Sequence, residues 1–177
     1  MAAIETLILL TPIGRLFLRL SDKGLRWIEI LPDTSNAVPT APRMYSEAGG
    51  EVCRQIDAYF ASTLKRFDLP IDWSVFKPFQ INVMRLLAEL PFGQVTTYGV
   101  LAERLGKPNG ARAVGIANAT NPVPIVLPCH RVIASDGSMQ GYRAPLGILT
   151  KEWLLRHEGH TIRNHKLAND QPELFPG

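Results

Sequence analysis

The chain has 177 residues, 46% of them hydrophobic and 20% charged, with a formal net charge of +3. That is enough apolar material for one or two packed domains and too much for a disordered polymer. No run approaches the 18 or so apolar residues of a membrane span, and Met1-Ala2-Ala3-Ile4-Glu5 lacks the basic, apolar, small-residue order of a signal peptide. No membrane partner is expected, and the expected location is cytoplasmic, or nuclear in a eukaryotic source.

Residues 4–10, 15–20 and 25–31 read as three short strands, separated by the turn chemistry of Thr11-Pro12-Ile13-Gly14 and Ser21-Asp22-Lys23-Gly24. Pro32, Pro39 and Pro42 predict a loop over residues 31–45. A helix over residues 46–61 follows, with Val52, Ile56, Tyr59 and Phe60 at the helical period and Cys53 beside that stripe as a packing residue. A domain boundary is expected near residues 72–77, after which the pattern becomes helical. Phe79, Val83, Leu86, Leu87 and Leu90 form one apolar stripe, and a short helix spans about 98–105. Gly106-Lys107-Pro108 forces a turn, and Asn109 is placed to cap a third helix running to about 119, which makes a helix-turn-helix. A last helix, about 146–157, stops at Gly159. The fold class read from this order is α+β: a sheet-and-helix domain over 1–77, a mostly helical domain over 78–163 and a polar, frayed tail over 164–177.

Charge is unevenly placed. Residues 1–77 carry nine Lys/Arg against nine Asp/Glu, whereas residues 78–163 carry nine against five. A basic second domain is compatible with nucleic acid but also with an ordinary solvated surface. The two cysteines, Cys53 and Cys129, form no close-spaced pair, so neither a disulfide framework nor a metal site is expected.

The segment NPVPIVLPCHRVI, residues 121–133, holds the densest chemistry. Pro122, Pro124 and Pro128 fix the backbone approaching Cys129, which suits a thiol that must be held in one geometry. A free thiol with a pKa of about 8.5 needs help to ionise, and His130 and Arg131 are candidates. Neighbours on a regular element do not face each other, so His130 needs a tight turn or a bridging water, and the water is the favoured route. Glu158 near the end of the last helix opposes the macrodipole, which a nearby histidinium would offset; His157 and His160 are expected on the surface. Arg112, in the first turn of the third helix, is likewise a cation at the unfavourable end of a dipole. The bland readings are an inert buried cysteine, a solvated glutamate and helix packing through small residues.

These motifs resemble the methylated-DNA–protein-cysteine methyltransferases, also called O6-alkylguanine-DNA alkyltransferases. The resemblance spans about residues 79–160 and is carried by Phe79-Gln80, Pro91-Phe92-Gly93, Tyr98, Arg112-Ala113-Val114-Gly115, Asn121-Pro122, Pro128-Cys129-His130-Arg131-Val132, Gly141-Tyr142 and Lys151-Glu152-Trp153-Leu154-Leu155. It implies direct repair of O6-alkylguanine, with O4-alkylthymine as a second lesion, in one irreversible and stoichiometric transfer without a cofactor. Cys129 matches the alkyl acceptor, His130 its base and Glu158 the carboxylate that orients and charges the histidine. Tyr98 matches the proton donor to the departing guanine, and Asn121 the asparagine that organises the turn. Ala111, Arg112, Ala113, Gly115 and Tyr98 match the surface that enters the minor groove of double-stranded DNA through a winged-helix-like helix-turn-helix, with Arg112 filling the gap left by the flipped base. Val132, Gly141, Tyr142 and Arg143 match the substrate pocket. A monomer in solution is implied.

Two departures from the family pattern stand out: Met84 replaces a frequent tryptophan, and Arg143-Ala144-Pro145 occupies a commonly glycine-rich stretch. Some relatives hold a structural zinc in the first domain, but residues 1–52 here contain no Cys or His. Three rival readings remain at this point. One is a protein that binds alkylated bases without transfer, one a helix-turn-helix regulator, and one a thiol hydrolase using Cys129, His130 and Glu158.

Overall fold

The computed structural model describes residues 4–32 and 45–168. The loop expected over residues 31–45 therefore lies mostly outside the described residues, as does the end of the expected tail.

The molecule mixes helices with small sheets. Strands β1 (Glu5–Thr11), β2 (Gly14–Ser21) and β3 (Gly24–Leu31) form an antiparallel meander in sequence order. Their alternation buries Leu7, Leu9, Leu16, Leu18, Ile28 and Ile30 on one face. Gly24 is at φ +121°, and a Cβ there would meet the Pro70 carbonyl oxygen at 2.2 Å, so only glycine lets Leu25 N donate to that oxygen at 2.8 Å. Helix α1 (Glu47–Phe60) starts at Ser46, whose hydroxyl accepts from Gly49 N, and it lays Val52, Ile56 and Tyr59 against the sheet.

Helix α2 (Pro78–Glu89) opens on a proline in its first turn and buries Val83, Met84 and Leu87. Met84 is fully buried, so the methionine fills the position noted as unusual. Strand β4 (Thr96–Thr97) leads into α3 (Tyr98–Arg104), which packs on α4 (Ala111–Ala119). Asn109 does not cap α4. The turn closes from Gly110 N to Lys107 O at 2.7 Å, which leaves Asn109 one residue early, and Gly110 is the N-cap without any side-chain bond.

After one 3-10 turn at Cys129–Arg131, strand β5 (Val132–Ile133) pairs in parallel with β4. Helix α5 (Ile148–His157) ends with Glu158 as C-cap and Gly159 at φ +97°, the left-handed stop read from the sequence. That reversal turns His160 inward, so its expected surface position is corrected: it is 6% exposed. His157 is half-buried, stacked on Trp153 at 5.1 Å, with Nε2 2.8 Å from Tyr59 O. The first part of the expected tail is ordered too. Strands β6 (Ile162–Arg163) and β7 (Lys166–Leu167) form a hairpin that bonds Met139 N to His165 O and Leu167 N to Gly137 O, because Ile162 has an apolar cluster of Val95, Ile133, Met139 and Leu155 to join.

One hydrophobic cluster runs from Leu7 and Leu16 in the sheet through Tyr59 to Met84, Val114, Leu127 and Leu154. Sheet and helices thus share a core, and a bond from Ile28 N to Pro122 O at 2.8 Å ties β3 to the segment before Cys129.

Candidate active site

All ten residues from Asn121 to His130 are buried. Asn121 holds this segment in shape: its Nδ2 donates to Leu127 O at 2.8 Å and its Oδ1 accepts from Val123 N at 3.0 Å. Ile125 takes φ +74°, a left-handed conformation for a branched residue, so the bend toward Cys129 is held against local preference. Cys129 ends in the wall of a cavity of about 1070 Å³, itself only 7% exposed.

Burial pushes the Cys129 thiol above its ordinary pKa, while the Asn121 side chain, the Lys151 ammonium and Tyr142 pull it back without restoring it. The resting sulfur is therefore a thiol, and its reaction calls for a base. Cys53, half-buried in α1, is pushed to about 11 by burial and by the nearby Asp57 and Glu5 carboxylates.

Behind Cys129 lies a buried charge network. Glu158 accepts five hydrogen bonds: on Oε1 from His130 Nε2 at 2.8 Å, Tyr59 OH at 2.9 Å and Arg131 Nη2 at 2.9 Å, and on Oε2 from Arg131 Nε at 2.8 Å and Gly93 N at 3.3 Å. Burial works to raise its pKa, but the combined His130 and Arg131 contacts outweigh it and hold the carboxyl well below the usual range. His130, 0% exposed, is pushed the other way: burial lowers its pKa below the ordinary histidine value against the pull of Glu158. It is neutral near pH 7. Arg131, in a two-toothed guanidinium–carboxylate contact, adds a second partner beside His130 that offsets Glu158 and the helix end. Arg131 is further held by Nη1 to Leu90 O at 2.6 Å.

A carboxylate can only accept, so the proton on His130 sits on Nε2 and leaves Nδ1 as a lone-pair nitrogen. Nδ1 is buried and has no hydrogen-bond partner among the described residues.

The cavity collects Tyr98, Ala111, Arg112, Gly115, Asn121, Cys129, Gly141, Tyr142 and Arg143 of the expected site. Tyr98 sits on α3 against Gly115, and its hydroxyl is pushed up to about 12 by burial and by Cys129, so it stays protonated. Arg112 is exposed at the mouth. Ala113 is exposed on α4 outside the cavity lining, and Val132 is buried behind it, offering its carbonyl to Lys151 Nζ at 2.6 Å. The β3 residues Ile28, Glu29 and Ile30 also line the cavity, and the Arg143 guanidinium lies 4.9 Å from the Trp27 ring, pinning the 140–147 loop to the sheet.

Lys151 and Tyr59 had no expected role. Lys151 is 1% exposed and pushed down to about 8 by burial; its spacing with Leu154 and Leu155 on one helix face was the signal that it points inward. Tyr59 reaches Glu158 from a stripe read only as core.

The profile of the family described as 6-O-methylguanine DNA methyltransferase, DNA binding domain, matches residues 78–160. A methylated-DNA–protein-cysteine methyltransferase of Methanosarcina acetivorans is 39% identical over 150 residues, 84% of this chain and 94% of that protein. One from Shigella flexneri is 48% identical over 113 residues, 64% of this chain and 65% of that protein. The solved structure of Mycobacterium tuberculosis OGT in complex with DNA superposes with a TM-score of 0.72 at 36% identity, covering 85% of this chain and 90% of that one.

Proposed function

The chain belongs to the methylated-DNA–protein-cysteine methyltransferase family, and on that premise we propose that it repairs O6-alkylguanine in DNA by one irreversible transfer of the alkyl group to Cys129. The observation that carries this reading is the juxtaposition of a buried thiol in a large cavity with a neutral histidine one residue on. The Cys129 proton passes through a water to His130 Nδ1. The sulfur attacks the alkyl carbon, the S–C bond forms as the C–O6 bond breaks, and the electron pair leaves with the guanine. Tyr98 supplies a proton to the departing base, which makes guanine the leaving group instead of its anion. Glu158 and Arg131 do not touch the substrate; they fix the tautomer and position of His130. A thioether has no hydrolytic route back, so each molecule acts once.

DNA enters through the helix-turn-helix of α3 and α4, a winged-helix-like unit presented to the minor groove. Its second helix is slim, with Ala111, Ala113 and Gly115 permitting close backbone approach, and exposed Arg112 occupies the space of the extruded base. That the M. tuberculosis relative is solved in complex with DNA supports DNA as the partner. The chain works as a monomer with two units, 1–77 as scaffold and 78–163 as the reacting unit. O4-alkylthymine is the secondary lesion.

The test is mass spectrometry after incubation with duplex DNA carrying O6-methylguanine. Peptides containing Cys129 gain one methyl group, the yield stops at one per protein, and Cys129→Ser binds the duplex but transfers nothing. Repeated turnover, or label on Cys53, contradicts the mechanism; binding without transfer by the wild type points to an alkylated-base-binding protein.

A further inference from the structure

Helix α4 presents residues 111, 115 and 118 along one stripe toward the cavity, while Val114 and Ala117 face the core. Two of those three positions are small. The third is Asn118, 8% exposed, whose Oδ1 and Nδ2 are both buried with no hydrogen-bond partner among the described residues. Three residues on, Asn121 spends both ends of the same functional group on the backbone. The carbonyls near Asn118 at the end of α4 are already served, since Gln80 Nε2 donates to Ala117 O and Thr120 O at 3.1 Å each. Asn118 therefore caps nothing and holds no turn, and asparagine is a poorer helix former than its alanine neighbours. A carboxamide left idle in the wall of a cavity is a complement waiting for a ligand edge.

Its chemistry specifies that edge. A carboxamide offers one acceptor beside one donor, and it pairs in two-point fashion with a donor beside an acceptor. On O6-alkylguanine the 2-amino group is a donor, and both ring nitrogens flanking it are acceptors once alkylation has removed the N1 proton. On O4-alkylthymine the corresponding ring nitrogen and O2 are both acceptors. We propose that Asn118 reads the amino-bearing edge of the extruded purine, Oδ1 accepting from the 2-amino group and Nδ2 donating to the adjacent ring nitrogen. This rests on the alkyl-transfer reading above and adds to it a choice of lesion: Asn118 favours guanine over thymine adducts, because thymine leaves Oδ1 facing a lone pair.

The experiment measures single-turnover transfer from duplexes carrying O6-methylguanine, O6-methylhypoxanthine, which lacks only the 2-amino group, and O4-methylthymine. The proteins are the wild type, Asn118→Leu, which keeps the volume, and Asn118→Ala, which suits the helix. Wild-type rates fall about tenfold or more on loss of the 2-amino group. In both variants methylguanine, which loses two bonds, slows more than methylhypoxanthine, which loses only the bond to its ring nitrogen, so the ratio between the two purines falls toward one and the gap to O4-methylthymine narrows. Variants that keep the wild-type ratio between the two purines overturn the assignment, as do equal wild-type rates on them, while transfer to Cys129 continues and the parent reading stands. No transfer from any duplex by the wild type overturns both.

Discussion

The two sides of the Cys129–Arg131 turn follow opposite rules. Behind it, Glu158 receives five hydrogen bonds, Arg131 is paired with Glu158 and Leu90 O, and Tyr59 reaches in from the first helix. In front of it, the cavity is lined by polar groups left open, both ends of the Asn118 carboxamide among them. Buried polar groups that are paired rigidify a fold, whereas buried polar groups left unpaired in a cavity are costly until a ligand arrives. The rear is scaffold and the front is receptor. His130 joins them, with Nε2 committed to the rear and Nδ1 free. Changes behind the turn should therefore register in stability, and changes in front should register in rate and selectivity.

The largest effect expected is at the rear. Glu158→Gln removes the counter-charge of buried Arg131 and turns an amide N–H toward donors, so it should lower stability by about 3–5 kcal/mol in urea unfolding. The sign of the pH dependence follows. Glu158 has a depressed folded pKa, so its contribution is present above the ordinary glutamate range and is lost as pH falls. His130, also depressed, adds a loss that begins as pH falls through about 6.5, where the unfolded chain takes up a proton that the folded one refuses. The wild type should weaken in acid, and Glu158→Gln should flatten the part below about pH 5. The variant should also slow transfer, because His130 becomes a weaker base, and the acid limb of its pH–rate profile should move downward, since Glu158 raises the His130 pKa. A variant as stable as the wild type would erase the contrast between the two sides.

An intermediate effect belongs to the cavity mouth. Arg112→Ala should leave the unfolding curve in place and reduce transfer from fully paired duplex about tenfold more than from single strands, where the base costs little to extrude. Equal losses on both substrates would reduce Arg112 to a general phosphate contact.

How much of this contrast is legible in the sequence depends on its range along the chain. The strands and helices follow from period-two and period-3.6 patterns, and the Cys-His segment stands out through its prolines. The rear network does not, because it is assembled from Tyr59, Gly93, His130, Arg131 and Glu158, whose separations no local pattern encodes. Arg131 in particular reads as a helper of the adjacent thiol, and only its fork geometry against Glu158 shows that it pairs with the carboxylate instead. Asn118 is hidden differently. A helix of small residues draws attention to Arg112, and the idle carboxamide emerges only once the neighbours that might satisfy it are seen to be occupied. Asn109 misleads because its place in the turn, and not its residue type, decides which residue caps the helix.

The smallest effect tests whether the front is as open as it looks. Arg143 lies over Trp27, a partly exposed cation–π contact worth about 0.5–1 kcal/mol. With Pro145 restricting the same loop, the pocket should favour methyl over bulky groups. Trp27→Ala should raise benzyl transfer relative to methyl by about twofold to fivefold. An unchanged ratio would mean that the loop does not set alkyl size.

The measurement closest to the centre of this account is the protonation state of His130, read by 15N NMR of the imidazole in the free protein near pH 7. The predicted spectrum is that of a neutral ring with the proton on Nε2 and an unprotonated Nδ1, persisting well below the ordinary histidine pKa. A doubly protonated ring at pH 7, or a neutral ring with its proton on Nδ1, would contradict the account, since neither leaves a nitrogen able to take the Cys129 proton while the other holds Glu158.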